Sequence, residues 1–345
     1  MGADTPEARP SRRKLLQRTV PVLAAGIGAG VLGTAGAAAS VRPDATPGDE
    51  QLARLVADPT SATHRALVQL LAPTATAAVR TAPNGRVDPR QAGYDVVLLL
   101  GQSNMQGCGL PFDPAIDVEL DGIDQLAASG PRTGQVMTAS EPLCHVSSVR
   151  VEGRPAVGPG FEFARQLWLA QPAGRKVLLV PAALGGTSIT GNADYSWDPD
   201  NTAARTNLFH RAVDAGRRAL ALNPHNRLAA VLWHQGEADA VLGSSQEWYQ
   251  AKLLQIIDLV REALGPAPFL IGGMVPEWLP GDPGRRGIDA AHRAIPSLRP
   301  RTAFVEGPAG AGQDEGHIHY NAAGARELGL RFYGAYEAEA AGQPA

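Results

Sequence analysis

The sequence has little cysteine, little net charge and few long hydrophobic runs. It contains 2 cysteines in 345 residues, and its formal net charge is −3. Nothing in the composition favours a nucleic-acid-binding protein, because no basic run occurs beyond the first residues. Past the N-terminal segment, no apolar stretch is long enough to be a candidate membrane span. With 39 glycines and 28 prolines, the chain reads as loop-rich and globular, long enough for one large α/β domain plus extensions.

The N-terminal segment has the pattern of an export signal. A twin-arginine pattern at Ser11–Leu16 precedes an Ala/Gly-rich apolar run from Val20 to Ala39. Its last three residues, Ala37–Ala39, fit a small-residue cleavage site. An uncleaved anchor is the alternative, but the run is weakly hydrophobic for a spanning helix. We therefore expect residues 1–39 to be a twin-arginine-type signal peptide of a secreted protein, with no stable membrane association after cleavage.

The rest of the chain divides into an extension and a main domain. Residues 40–90 are rich in Ala, Thr and Pro and carry no chemical signature, whereas residues 91–340 alternate between apolar strand-length runs and helical patterns. The predicted strands are Val96–Leu100, Lys176–Pro181, Leu228–Trp233, Phe269–Met274 and Thr302–Val305. The predicted helices are Gly160–Ala170, Leu208–Leu222, Ser245–Leu264, Ile288–Ile295 and one from Ala322 to about Glu339.

This alternation predicts an α/β fold with a five-stranded parallel sheet. Apolar strands separated by amphipathic helices form a sheet that is covered on both faces. Right-handed crossovers then give a three-layer α/β/α sandwich of flavodoxin-like type. The segment from Leu110 to Val157 is a long excursion without strong periodicity. Loops of that length in compact domains are usually functional or disordered.

The most informative stretch is Tyr94–Gly109, where the run Val96–Leu100 ends in the sequence GQSNM. A buried parallel strand reads as a continuous apolar run, and its carboxyl end is where open α/β sheets bind ligands. Ser103 would lie at that end, where backbone N–H groups can face an anion. The alternative is that Ser103 only caps a helix. Met105 stands where a Gly-x-Ser-x-Gly elbow needs its second glycine, which excludes that motif.

Two further blocks follow predicted strands. The pair Gly185-Gly186 lets backbone N–H groups approach a ligand closely, although such a pair is also an ordinary turn. The block Trp233–Asp239 contains Gln235, whose amide N–H suits a developing oxyanion. Within it, Glu237 orients neighbours, contacts substrate or is simply an acid at a helix N-terminus. We interpret His234 as an ordinary, partly buried histidine.

The last block, Asp314–Asn321, contains two histidines ahead of the final predicted helix. A nucleophilic serine needs a base within hydrogen-bond reach, and the base needs an orienting carboxylate. The spacing Asp314-x-x-His317 satisfies that need. The same histidines beside Asp314 and Glu315 offer a zinc site as an alternative, but no HExxH pattern or cysteine pair supports it. We expect no metal and no cofactor.

Together the blocks resemble those of the SGNH (GDSL-like) hydrolases, in particular the sialate O-acetylesterase and acetylxylan esterase branch (carbohydrate esterase family six). GQSNM after an apolar strand is similar to the first block of that family, and Trp-x-Gln-Gly-Glu at Trp233–Glu237 matches a later one. Glu141-Pro142-Leu143 and Val157–Gly160 look like the same branch. The resemblance covers roughly residues 94–335. It implies the SGNH hydrolase fold and makes residues 91–340 an esterase domain.

The resemblance also implies roles for single residues. Ser103 is the expected nucleophile, and its N–H, the Gly186 N–H and the Gln235 amide form the expected oxyanion hole. We expect His319 as the base, because the tail that follows it matches the family context better than the tail of His317.

The family's acid, three residues before the base, is replaced by Gly316 when His319 is the base. Asp314 is therefore the expected orienting acid in either register. Further candidates for substrate contact or for support of the site are Gln102, Asn104, Glu237, Trp197 and His317. Trp197 lies in a loop and could stack on a sugar ring, although packing within the loop is the preferred interpretation.

The predicted function is a secreted serine esterase that removes acetyl groups from an acetylated carbohydrate. One alternative is a lipase or phospholipase of the same superfamily. The other is a non-catalytic carbohydrate-binding protein on the same scaffold, which the missing acid before His319 would favour. Finally, Cys108 and Cys144 are the only cysteines of a chain with an export signal. We expect them to form a disulfide that pins the excursion against the Ser103 loop, the alternative being two unbridged thiols.

Overall fold

The apolar runs of the sequence form strands in a computed structural model, which describes residues 92–148, 150–171, 174–313, 316 and 318–341. The strands are β1 (Tyr94–Gly101), β2 (Ile123–Leu126), β3 (Val136–Thr138), β4 (Lys176–Pro181), β5 (Tyr195–Ser196), β6 (Thr206–Asn207), β7 (Arg227–His234), β8 (Phe269–Gly272) and β9 (Thr302–Val305). The expected signal peptide and the extension lie outside the described residues.

The helices are α1 (Ser103–Gln106), α2 (Pro159–Ala170), α3 (Leu208–Ala221), α4 (Glu237–Leu242), α5 (Gln246–Leu264), α6 (Pro283–Leu298) and α7 (Ala322–Ala341), with a 3₁₀ helix at Pro276–Gly281. On one side of the sheet α7 packs along α2, with edge-on contacts of Phe163 against Tyr333 and Tyr336. On the other side α3 contacts α5, and α5 contacts α6. Within the described ranges, no helix has both the length and the apolar character needed to cross a bilayer.

The main sheet has seven strands in the described part of the chain, in the order β3-β2-β4-β1-β7-β8-β9. All neighbours in it are parallel except β2 and β3. The five predicted strands are confirmed, and their order, β4-β1-β7-β8-β9, is the flavodoxin-like order. The predicted count of five is wrong, because the excursion after Leu110 adds β2 and β3 at one edge. These strands are short and include polar residues, so they leave no apolar run in the sequence.

The helix predictions were right in position and less accurate in length. The helix predicted at 288–295 extends over Pro283–Leu298, because Asp282 accepts a hydrogen bond from the Gly284 N–H at 2.6 Å and Pro283 occupies the first helical position. The short helix α4 was not predicted. It has only six residues, and its sequence shows no amphipathic period.

Strand β1 lies in the middle of the sheet, and all eight of its residues are buried. At its end the backbone of Gly101 passes very close to β7. A Cβ on Gly101 would lie 2.0 Å from the His234 carbonyl oxygen, and its φ is +132°. Only glycine fits such an approach. The ends of β1 and β7, and the blocks that follow them, are therefore held side by side at the point where the strand order reverses.

The expected disulfide between Cys108 and Cys144 is absent from the structure, although both residues are described. The Cys144 N–H donates to Gln125 Oε1 at 2.8 Å, and its carbonyl accepts from the Ala128 N–H at 2.8 Å, which fixes it at the end of β2. Cys108 precedes Gly109, which pairs with Val157 through two backbone hydrogen bonds of 3.0 Å. Hydrogen bonds thus hold both cysteine segments, and the alternative of two unbridged thiols describes this structure.

Burial of His145 predicts an acid-sensitive fold. Its Nδ1 accepts the Ala183 N–H at 3.0 Å, and complete burial lowers its pKa to about 3. In the unfolded chain that pKa returns to about 6.5. Unfolding therefore takes up a proton between these two values, and the free energy of unfolding falls as the pH drops through this window. His292, whose pKa burial also lowers to about 3, adds a second proton.

We expect His145→Gln, which keeps an acceptor for the Ala183 N–H, to take up one proton fewer on unfolding. The measurement is the free energy of unfolding in urea between pH 4 and 7 for both proteins. An unchanged slope against pH in the variant would contradict the assignment. Any constant offset between the two curves reflects altered packing and does not bear on it.

Candidate active site

Ser103 and His319 meet at the carboxyl edge of the sheet, although they are 216 residues apart in the chain. Ser103 is the first residue of α1, directly after the β1 strand end. His319 lies in the loop between β9 and α7. The Ser103 Oγ and the His319 Nε2 are 3.0 Å apart, which is hydrogen-bond distance. A histidine nitrogen at this distance can accept the proton of the hydroxyl.

Of the two histidines that the sequence left open, His319 makes this contact. Asp314, Glu315 and His317 lie outside the described residues, so the structure tests neither the orienting acid nor the alternative base. The zinc alternative rests largely on the same three residues. Within the described residues, no group of three or more His, Cys, Asp or Glu side chains could hold a metal ion.

The side chain of Asn104 joins the nucleophile segment to the base segment. Its Nδ2 donates to the Ile318 carbonyl at 2.9 Å, and its Oδ1 accepts the Tyr320 N–H at 3.0 Å. These two groups flank His319. The second Nδ2 hydrogen goes to Glu237 Oε1 at 2.7 Å. Asn104 and Glu237 are both buried, so they support the site from behind and do not line its surface.

Gln102 also points inward. Its N–H donates to the His234 carbonyl at 2.9 Å, and its Oε1 accepts from the Ala238 N–H at 3.2 Å. The same oxygen lies 3.3 Å from the Gln235 Nε2. Gln102 therefore connects the β1–α1 turn to the β7–α4 turn. This geometry supports a role for Gln102 in holding the site and does not support contact with the substrate.

The glycine pair lies next to the nucleophile. A Cβ on Gly185 would be 3.5 Å from Ser103 Cβ, and the Gly185 N–H donates to Gln106 Oε1 at 2.6 Å. Gly186 follows with φ +70° and would have nothing within 4 Å of a Cβ. Both glycines are exposed. The turn thus presents uncovered backbone beside Ser103, which is where a donor to an oxyanion must lie.

The Gln235 amide is not placed as the oxyanion donor that we expected. Gln235 is fully buried, and its Nε2 donates to Asp239 Oδ2 at 2.7 Å, with Thr187 O at 3.3 Å on a second side. Its Oε1 accepts from the Tyr249 hydroxyl at 2.9 Å. The amide hydrogens therefore point at groups inside the protein. We correct its expected role from oxyanion donor to support of the site.

Asp239 is a supporting residue to which the sequence analysis assigned no role. Its carboxylate accepts hydrogen bonds from the Ile189 N–H at 2.7 Å, the Thr190 N–H at 3.0 Å and the Thr190 hydroxyl at 2.8 Å. It therefore fixes the loop that leaves the glycine pair. The available signal was its position in an acidic block directly after a central strand, where loops of neighbouring strands meet.

His234 and Trp197 belong to the core. The His234 Nε2 lies 2.9 Å from the Gly273 carbonyl oxygen, and the ring is fully buried, more so than the partly buried histidine that we expected. The Trp197 indole N–H donates to Thr187 Oγ1 at 3.0 Å, and its ring packs edge-on against Trp233 at 5.3 Å. Full burial excludes stacking of Trp197 on a sugar ring and leaves its packing alternative.

The fold and this site define an α/β/α-sandwich protein with a serine–histidine pair at the carboxyl edge of its sheet, as in serine hydrolases. A sequence model described as "Carbohydrate esterase, sialic acid-specific acetylesterase" matches residues 93–338. The chain belongs to this family of carbohydrate esterases, which confirms the resemblance found in the sequence blocks.

Individual relatives agree with the family. A curated Escherichia coli (strain K12) protein is described as a probable 9-O-acetyl-N-acetylneuraminic acid deacetylase. It is 29% identical over 174 residues, in an alignment that covers 42% of this chain and 53% of that protein. The chain thus spans about half the length of this relative.

Two solved structures share the fold. One is the crystal structure of NanS, with a TM-score of 0.61 and 20% identity over 73% of this chain and 99% of the other. The second is a protein from Arabidopsis thaliana, with a TM-score of 0.55 and 23% identity over 70% of this chain and 97% of the other.

The Asn104 contacts predict a specific effect on turnover. In Asn104→Leu the Ile318 carbonyl and the Tyr320 N–H lose their hydrogen bonds to Asn104, so we expect the His319 loop to shift. A misplacement of about 1 Å at a catalytic group can cost about a hundredfold in rate. We therefore expect kcat on p-nitrophenyl acetate to fall by about that factor, with little change in KM.

Asn226→Leu is the matched control. The Asn226 side chain also bridges two backbone groups, accepting the Tyr94 N–H at 2.7 Å and donating to the Ala219 carbonyl at 2.8 Å, but at the opposite edge of the sheet. Both variants should lower the Tm, and only Asn104→Leu should lower kcat. Equal losses of kcat in the two variants would show that Asn104 acts through stability alone.

Proposed function

We propose that the protein is a serine esterase that removes acetyl groups from a carbohydrate, with acetylated sialic acid as the favoured substrate. The contact of 3.0 Å between Ser103 Oγ and His319 Nε2 carries the proposal. Membership of a family described as sialic acid-specific acetylesterases supports the substrate class. The Escherichia coli relative, described as a probable 9-O-acetyl-N-acetylneuraminic acid deacetylase, points the same way.

The proposed reaction has two halves. Ser103 Oγ attacks the acetyl carbonyl carbon while His319 Nε2 takes the hydroxyl proton, and the tetrahedral intermediate then breaks its bond to the sugar oxygen. His319 gives its proton to that oxygen, which leaves as the free sugar hydroxyl. In the second half water attacks the carbonyl carbon of the acetyl-serine while His319 takes one of its protons. The bond to Ser103 Oγ then breaks, His319 returns the proton to Oγ, and acetate leaves. We retain Asp314 as the proposed orienting acid of His319.

Backbone donors beside Ser103 stabilise the oxyanion in this proposal. The Ser103 N–H opens helix α1, so it has no acceptor within that helix. The Gly186 N–H belongs to the exposed turn next to Ser103. Each well-placed donor contributes about 3 kcal/mol to the transition state. Gln235 supports this arrangement indirectly, because its amide and Asp239 together hold the loop that follows Gly186.

Ser103→Ala and His319→Ala should each abolish hydrolysis of p-nitrophenyl acetate without loss of folding, because each removes one half of the proton-transfer pair. His225→Ala is the control, since His225 is exposed at the opposite edge of the sheet, just before β7. His317→Ala should cost much less than His319→Ala. Full activity in Ser103→Ala would remove the nucleophile from this proposal.

The substrate is decided by release of acetate from acetylated sialic acid, acetylated xylan and acetylated glucose, compared at equal ester concentration. We expect the acetylated sialic acid to give the highest kcat/KM. A series of nitrophenyl esters of increasing chain length separates the acetylesterase from a lipase, because a lipase would prefer the longer chains.

We also propose export by the twin-arginine route, on the basis of the Ser11–Leu16 pattern and the apolar run that follows it. Replacing Arg12 and Arg13 together by lysine preserves the charge and removes the recognised pair. The protein should then remain in the producing cell, where its esterase activity can be measured. Undiminished secretion of the double variant would contradict this route.

A further inference from the structure

The buried side chain of Gln106 connects three segments around the site without contacting Ser103 Oγ or His319 through a hydrogen bond. Gln106 is the last residue of α1, three positions after Ser103, and its side chain is buried. Its Oε1 accepts the Gly185 N–H at 2.6 Å. Its Nε2 donates to the Ser147 carbonyl at 2.8 Å and lies 3.0 Å from the Ser147 hydroxyl. The nucleophile helix, the glycine turn and the excursion are thus joined by a single carboxamide.

The orientation of this carboxamide is fixed by its partners. The Ser147 carbonyl can only accept a hydrogen bond, so it selects the NH₂ end of the side chain, and the oxygen must then face Gly185. The Gly185 N–H is therefore occupied from inside the protein. Among the described residues, none accepts a hydrogen bond from the neighbouring Gly186 N–H. Of the two glycine donors, Gly186 is the one left for a ligand.

The glycine turn needs such an anchor. Gly186 has φ +70°, and two successive glycines leave the backbone with a wide choice of conformations. The turn is held upstream by the Leu184 N–H on the Gly101 carbonyl at 3.1 Å and downstream by the Asp239 contacts with Ile189 and Thr190. Gln106 supplies the contact between these two anchors, at the residue that lies nearest to Ser103.

We propose that Gln106 is a positioning residue that holds the Gly185-Gly186 turn so that the Gly186 N–H completes the oxyanion hole. The inference rests on the proposed esterase function and goes beyond it, since it assigns the accuracy of the hole to a side chain that does not touch the substrate. A misplaced donor weakens binding of the transition state and leaves binding of the ground state nearly unchanged.

The test is Gln106→Met, which keeps the length of the side chain and removes its three polar contacts. We expect kcat on p-nitrophenyl acetate to fall roughly 10- to 100-fold, less than or equal to the loss of a whole donor, with KM within about twofold. The control is Gln166→Met. Gln166 is also buried and donates through Nε2 to Glu162 Oε1 at 2.8 Å, but on helix α2.

A second measurement separates positioning from a loss of stability. Phenylboronic acid forms a tetrahedral adduct with a nucleophilic serine, and one oxygen of the adduct occupies the place of the oxyanion. The inhibition constant should rise in Gln106→Met by the same factor by which kcat falls, and it should not change in Gln166→Met. An unchanged inhibition constant in Gln106→Met, or equal effects in both variants, would overturn the proposal.

Ser147→Ala provides an independent arm, including the case in which the methionine variant does not fold, because Ser147 is exposed. It removes the hydroxyl contact with Gln106 and leaves the Gly185 N–H on Gln106 Oε1. Inhibition by the boronate should therefore stay within about threefold of the unmodified protein, and a loss of about tenfold or more would overturn the assignment to Gly185. The proposed function itself would be wrong if the unmodified protein does not bind the boronate and Ser103→Ala keeps its activity. Failure of the positioning role alone would leave both of these properties as expected.

Discussion

The hydrogen bonds of Asn104 are the constraint on which the site depends. Ser103 is fixed by strand β1, near the start of the domain's sequence. His319 lies on a loop near its end, just before the last helix. The Asn104 carboxamide donates to the peptide before His319 and accepts from the peptide after it, so the position of the histidine follows directly from that of the serine. Glu237 takes the remaining amide hydrogen and thereby prevents the carboxamide from turning over. Because all three partners are buried or part-buried, breaking one bond leaves polar groups that water does not readily satisfy.

Amide side chains perform the same task at two other places around the site. Gln106 joins the glycine turn to the excursion, and Gln235 joins the β7–α4 turn to the Thr187 loop. A carboxamide suits this task because it offers a donor and an acceptor on one rigid group, and so it can bridge two backbone segments without a net charge. The carboxylate of Asp239 serves where only N–H and hydroxyl donors converge. The catalytic groups are few, and most of the polar residues near them hold backbone in place.

The sequence predicted the parts of this protein that leave a local signal. Central strands buried on both faces give unbroken apolar runs, and β4 and β9 begin and end at the predicted residues. The position of Ser103 at the sheet edge could be predicted because it follows such a strand, whereas the oxyanion role of Gly186 stays a prediction. Strands β2 and β3 escaped prediction because short edge strands that carry polar residues have no apolar run. Gln235 was assigned a chemical use that its residue type allows, and Trp197 was given one only as an alternative to packing. Their burial depends on packing against residues that are far away in the sequence, and no local sequence pattern reveals such packing.

The contact between His319 and Ser103 depends on hydrogen bonds that the spacing of residues in the sequence does not reveal. Asp314-x-x-His317 fits the usual distance between an orienting acid and its base, and His319 fits only the residues that follow it. In the structure the register is set by the backbone at residues 318 and 320, which Asn104 holds, and this places the imidazole of His319 at Ser103. The loop that carries His319 is thus held by Asn104, which bonds to Tyr320, 216 residues further along the chain.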